Sequence, residues 1–246
     1  MLLALALACQ PTTATQTLEV LAASSLTDAI ADLEVAFELA HPDIDVRTRI
    51  AGSQTLRLQI EQGVPADVFL SANAEHMVAL VASDHVVQHT VFAHSALALI
   101  VPADNPAGIT GLVDLHRAQR LVLGADTVPI GQYTAALLQQ AAAAYGPGFA
   151  TAIADRVVSR EHSVRLARAR VVLGEADAAI VYETDTDTDG IVAVPIPPAL
   201  NPTVGYHIGL LGPTSPTAAL WMDFMSSAVG CQVLSGHRFI VDPCGV

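Results

Sequence analysis

Ser25 and Ser53 are the residues from which a binding chemistry can be built. Ser25 stands in Ala-Ala-Ser-Ser-Leu-Thr-Asp-Ala (residues 22–29) and Ser53 in Ala-Gly-Ser-Gln-Thr-Leu (51–56), each where a short apolar run gives way to a helical stripe. A junction of that kind offers a hydroxyl, backbone N–H groups with no partner inside the helix, and the positive end of the helix dipole. Two such junctions facing one cleft supply what a desolvated tetrahedral dianion requires. Taken singly, each serine reads as a plain N-cap, and Asp28 three residues after Ser25 completes a capping-box pattern.

The charge balance dictates how such a site would work. A formal net charge of −13 with only 11 Lys plus Arg argues against nucleic acid, which needs clustered basic residues to displace counterions. An anion would have to be held by local donors, against a global field that salt screens beyond roughly 8 Å.

Other chemistries lack their parts. There is no Gly-x-Ser-x-Gly elbow, His-Glu-x-x-His pair or Gly-rich phosphate loop, so no enzyme and no cofactor is expected. His76, His85, His89 and His94 fall close together but match no zinc spacing, and they read as solvated or helix-end side chains. The acidic run at 183–189 lacks the glycine and closing glutamate of a calcium loop and reads as a solvated turn.

The elements that must position the two serines alternate in type. Leu26, Ile30, Leu33 and Phe37 make one helical stripe after an apolar run at 18–22, and residues 44–50 alternate as a strand. A second helix opens at Ser53 and stops at Gly63; a buried strand at 68–70 and a helix at 74–82 follow. Further strands are predicted at 96–101, 121–123, 178–182, 191–194 and 204–211. Helical segments are predicted at 112–116, 131–145, from Ser163 to Gly174, and at 216–225 with Ser215 as cap. This order predicts an α/β protein with mixed sheets flanked by helices, its ligand beyond the carboxyl ends of the strands.

The first nine residues, Met-Leu-Leu-Ala-Leu-Ala-Leu-Ala-Cys, read as an export signal ending at a lipidated Cys9, and 10–17 as a polar tether. In an exported protein Cys231 and Cys244, 13 residues apart, suit a disulfide worth about 3 kcal/mol by loop-closure reasoning.

Five blocks stand in the order found in the periplasmic molybdate-binding proteins of ABC uptake systems. They are 22–29, 51–56, Gly-Val-Pro-Ala-Asp-Val-Phe-Leu-Ser-Ala (63–72), Val-Pro-Ile-Gly-Gln-Tyr (128–133) and Ala-Ala-Ile-Val-Tyr (178–182). The chain resembles that family from about residue 18 to its end. The resemblance implies the two-lobed type II periplasmic-binding-protein fold, with 18–94 plus 206–246 in lobe 1, 95–205 in lobe 2, and crossings near 93–96 and 203–206. It implies molybdate or tungstate as ligand, held by Ser25 and Ser53 from one lobe and by the Ile130 and Val164 amides and the Tyr182 hydroxyl from the other. A monomer in the periplasm that delivers its anion to an ABC permease is expected. A binding protein for sulfate or phosphate, an enzyme on the same fold, and an interaction module with an empty cleft are the alternatives. Ile130 stands where relatives commonly have a smaller residue, Gly52 and Gln54 where many have serines, and Asn73 where Asp is frequent.

Overall fold

Apolar residues recur along the chain with two periods, and each period folds as its spacing requires. In a computed structural model describing residues 15–213 and 215–242, Ala29, Ile30, Leu33 and Phe37 line the buried face of helix α1 (Thr27–Ala40). The apolar runs become strands buried on both faces, as parallel strands covered by helices must be. Val68–Ser71 and Ala178–Tyr182 are buried along their whole length.

The strands form two five-stranded sheets of the same design. The first has the order β2-β1-β3-β10-β4, where β1 is Gln16–Ala23, β2 Ile44–Ala51, β3 Val68–Ser71, β4 Val86–Ser95 and β10 Val204–Leu211. β1 pairs in parallel with β2 and β3, while β10 runs antiparallel to β3 and β4. The second has the order β7-β6-β8-β5-β9, with β5 Leu97–Pro102, β6 Leu121–Gly124, β7 Val157–Glu161, β8 Ala178–Tyr182 and β9 Ile191–Val194. Here β6 is parallel to β7 and β8, and β5 is antiparallel to β8 and β9. Each sheet with its helices makes a lobe.

The remaining helices are α2 (Ser53–Glu61), α3 (Ala74–Ala82), α4 (Pro129–Tyr145), α5 (Gly148–Ala154), α6 (Val164–Val172), α7 (Pro216–Met225) and α8 (Ala228–Gly236). Ser215 caps α7 as expected, its hydroxyl accepting from the Ala218 amide.

The chain crosses from the first sheet to the second between Ser95 and Leu97 and returns between Val194 and Val204. Asn201 ties the two crossings together. Its side-chain oxygen accepts from the Leu97 amide at 3.0 Å, and its amide group donates to the Leu97 carbonyl at 2.8 Å. The core is continuous through this region, where Tyr206 packs edge-on against Tyr182 at 5.9 Å and against Phe239 at 4.9 Å.

Four elements went unforeseen: β4, α5, β7 and α8. β4 is an edge strand whose burial does not alternate, because bulges shift its register against β10 between Tyr206 and His207 and again near Leu211. α8 carries two glycines, which lower helix propensity. Gly230 is needed there, since a Cβ would lie 2.2 Å from the Phe224 carbonyl oxygen.

Candidate functional site

The carboxyl ends of the parallel strands β1, β2 and β3 face those of β6, β7 and β8, and each strand end hands over to a site residue. β1 runs into a short 3-10 turn at Ser24–Leu26, β2 into Gly52 and Ser53 at the start of α2, and β3 into Ala72. From the other side, β6 leads to Val128, Pro129 and Ile130 at the start of α4, β7 to Val164 at the start of α6, and β8 ends in Tyr182. Together these residues wall one cavity, in which the space open to the centre of a water molecule is about 10 Å³.

The structure brings all five expected donors to this cavity. Ser25, Ser53, Ile130, Val164 and Tyr182 all line it, each at most 3% exposed. Pro129 at the first turn of α4 has no N–H, so the Ile130 amide is the first that helix offers. The branched side chain of Ile130 leans on Gly124, where a Cβ would lie 2.5 Å from Ile130 Cγ2. Ser163 caps α6 by accepting from the Leu166 amide, leaving Val164 as the first helical residue.

The two serines behave differently from plain caps. Ser25 lies inside the 3-10 turn, and its hydroxyl makes no cap bond. The capping-box pairing with Asp28 does not form: the start of α1 is tied instead by the Thr27 hydroxyl donating to the Ser24 carbonyl at 2.6 Å. Ser53 is the first residue of α2 rather than its cap, and its oxygen accepts from the Ala72 amide at 3.2 Å. Its own proton stays available to a ligand.

Tyr182 is fully buried against Tyr133 and Tyr206, and among the described residues its hydroxyl has no hydrogen-bond partner. Burial drives its pKa well above the ordinary tyrosine value, and the neighbouring Tyr206, Tyr133 and Asp185 act in the same direction. The group is held as a neutral donor. Ser25 and Thr184 face the Tyr206 hydroxyl and favour its ionised form, but burial outweighs them, and no bond of ordinary geometry forms. Among the described residues that line it there is no Asp, Glu, Lys or Arg. The site is therefore an uncharged set of O–H and N–H donors at converging helix starts.

Asp185, read as part of a solvated turn, and His76, read as a solvated or helix-end side chain and standing in the first turn of α3, are both buried. Asp185, in the acidic run, is inaccessible and lies 2.9 Å from Arg165 Nε. Burial pushes its carboxyl up to about 7, against the pull of Arg165 and Arg168. His76 is 3% exposed, and burial, with Arg57 nearby, lowers its pKa. Among the described residues no group of three or more His, Cys, Asp or Glu could hold a metal ion. Cys9 and Cys244, and with them the lipid anchor and the Cys231 to Cys244 pairing, lie outside the described residues.

Sequence reasoning missed the side chains that cross the cleft beside the donors. Arg165 Nε donates to the Ser24 carbonyl at 3.1 Å and its Nη2 to Asp28 at 2.6 Å. Gln54 donates to the His162 carbonyl at 2.8 Å. Gln132 accepts from Asn73 and donates to Glu75, both at 2.7 Å. Only their adjacency to the donor motifs could have flagged them.

A bacterial extracellular solute-binding protein family matches the chain over residues 18–239. The molybdate-binding protein ModA of Mycobacterium tuberculosis (strain H37Rv) is 30% identical over 235 residues, covering 93% of this chain and 86% of that protein. Two solved structures share the fold, each at 17% identity. The periplasmic molybdate-binding protein of Azotobacter vinelandii superposes with a TM-score of 0.75 over 92% of this chain and 100% of its own. The sulfate-binding protein SubI of M. tuberculosis does so with a TM-score of 0.83 over 93% and 88%. On the span of the family match and its identity to a ModA protein, the chain belongs to the bacterial extracellular solute-binding proteins.

Proposed function

We propose that this protein captures molybdate, or its near-twin tungstate, in the cleft between its lobes and delivers it to an ABC permease. The observation that carries the reading is the convergence of Ser25, Ser53, Ile130, Val164 and Tyr182 on one uncharged cavity. Hydrogen bonds to a charged group contribute about 1.5–3 kcal/mol each, so five such donors can offset the dehydration of a dianion. A wall of donors also selects. The proton of hydrogen phosphate could be accepted only by a hydroxyl oxygen that then turns its own proton away from the anion, a loss that fully ionised molybdate, tungstate and sulfate do not impose. Size must then separate sulfate from the larger anions.

The same reading places residues 18–94 plus 206–246 in one lobe and 95–205 in the other, with the protein a monomer in the periplasm, tethered through Cys9. The chain takes no cofactor and catalyses no reaction in this reading; the anion is its cargo.

Calorimetric titration of the purified protein with molybdate, tungstate, sulfate and phosphate tests the proposal. Tight binding of the first two, with sulfate at least about a hundredfold weaker, is expected. Equal or tighter sulfate binding moves the protein to the sulfate class, and no heat with any of the four removes the assignment.

A further inference from the structure

Each donor-bearing helix start also carries, within three residues, a side chain that crosses to the opposite lobe. At α6, Val164 lines the cavity and Arg165 reaches Ser24 and Asp28. At α4, Ile130 lines it and Gln132 bridges Asn73 and Glu75. At α2, Ser53 lines it and Gln54 reaches the His162 carbonyl. After β1, Ser25 lines it and Asp28 receives Arg165. An inner ring of anion donors is thus wrapped by an outer ring of contacts between the lobes.

We propose that Arg165, Gln132 and Gln54 form a rim lock that sets how slowly the bound anion leaves. The proposal rests on the anion-site reading above, and it makes these positioning residues, which touch the opposite lobe and not the ligand. Release from a closed two-lobed site needs the lobes to part, so contacts that exist only when they are together slow departure more than arrival. The geometry at Gly52 supports a close-fitting rim, because a Cβ there would come within 2.7 Å of the His162 carbonyl oxygen across the cleft. Arg165 is well placed to act as the strongest member. Its side chain is 18% exposed, and its partner Asp28 has its carboxyl pulled below the usual range chiefly by the hydrogen bond from Arg165.

The test follows release of bound molybdate after rapid dilution, with molybdenum counted on the retained protein, for wild type, Arg165→Ala, Gln132→Ala, Gln132→Glu and Arg165→Lys. Both alanine variants should release about tenfold faster while association stays within about threefold. Gln132→Glu, which sets a carboxylate against Glu75, should release faster than Gln132→Ala, and Arg165→Lys should recover part of the wild-type rate. Added salt should speed release from wild type and not from Arg165→Ala, because an exposed charge pair is screened. If Arg165→Ala does not fold, Asp28→Ala removes the Arg165 to Asp28 contact from its exposed end. Wild-type release rates in all variants, or losses confined to association, overturn the lock while leaving the anion site standing. A wild-type protein that binds no molybdate removes the site and the lock together.

Discussion

Ser25 and Tyr182 line one cavity from opposite lobes, and among the described residues neither hydroxyl makes a hydrogen bond of ordinary geometry. A buried polar group left without a partner costs about 1–3 kcal/mol. Two such groups in the lining of one cavity are where a ligand, rather than the fold, can satisfy them.

Tyr182→Phe and Ser25→Ala should therefore separate binding from stability. Each should weaken molybdate binding about tenfold or more, roughly 1.4 kcal/mol per factor of ten. The ligand-free Tyr182→Phe protein should melt at the wild-type temperature or slightly above, and Ser25→Ala, which also removes the hydroxyl facing Tyr206, should melt within a few degrees of it. Calorimetry paired with scanning of the apo protein checks this; a matching loss of apo stability would make these hydroxyls structural.

Ser53→Ala should behave differently. Its oxygen accepts from the Ala72 amide, so the substitution strands a buried N–H as well as removing a donor. Binding should fall about tenfold, and apo stability should also drop by about 1 kcal/mol, measurable by urea unfolding.

Tyr182 also sets the alkaline behaviour. Its folded pKa is raised above the ordinary value near 10, so the O–H survives to higher pH than an exposed tyrosine would allow. Molybdate affinity should stay flat between about pH 7 and about pH 10. A decline centred below pH 10 in wild type, absent in Tyr182→Phe, would show that the hydroxyl ionises early.

Acid should loosen the fold through His76 and His207, whose pKa values are lowered first by burial. The unfolded chain protonates these imidazoles near pH 6.5 while the folded one resists, so their contribution is complete above that pH and shrinks as pH falls below it. The buried Asp185 acts in the opposite sense, since its raised pKa removes stability as pH climbs from its ordinary value toward about 7. Thermal melts of wild type and His76→Gln from pH 8 to 5 isolate the histidine part: the variant should lose less on acidification.

Gly131→Ala should damage the site through the backbone. A Cβ there would lie 2.0 Å from the Ala125 carbonyl oxygen, at the turn that aims the start of α4. The clash must push the Ile130 amide out of place, costing about 1–3 kcal/mol of stability and most of the affinity. Apo melting and molybdate titration of this variant should both deteriorate.

What the sequence disclosed and what it hid divide along physical lines. The elements with one clear period were legible: Ala74–Ala82, Ala178–Tyr182, Val204–Leu211 and Pro216–Met225 fall where the patterns put them. β4 was not, because a bulged edge strand loses the alternation that would announce it. The five residues that meet at the cavity were named through resemblance, since the apolar side chains of Ile130 and Val164 announce no hydrogen-bonding role. Asp185 was misread because a charged residue in a polar run signals solvent, and nothing local reveals that Arg165 and Arg168 wait in space. Gln132, Gln54 and Arg165 depend on how two distant segments meet, which is a property of the tertiary fold.

Asn201 has one more effect. By binding Leu97 through both ends of its amide it ties the two crossings together where the lobes join, and Tyr182 is the β-ladder partner of that same Leu97. Atoms turning about a joint travel arcs in proportion to their distance from it, and the Tyr182 backbone is paired to the strand at that joint. Any parting of the lobes would then carry Ser25 and Ser53 farther than Tyr182 from where the lobes join.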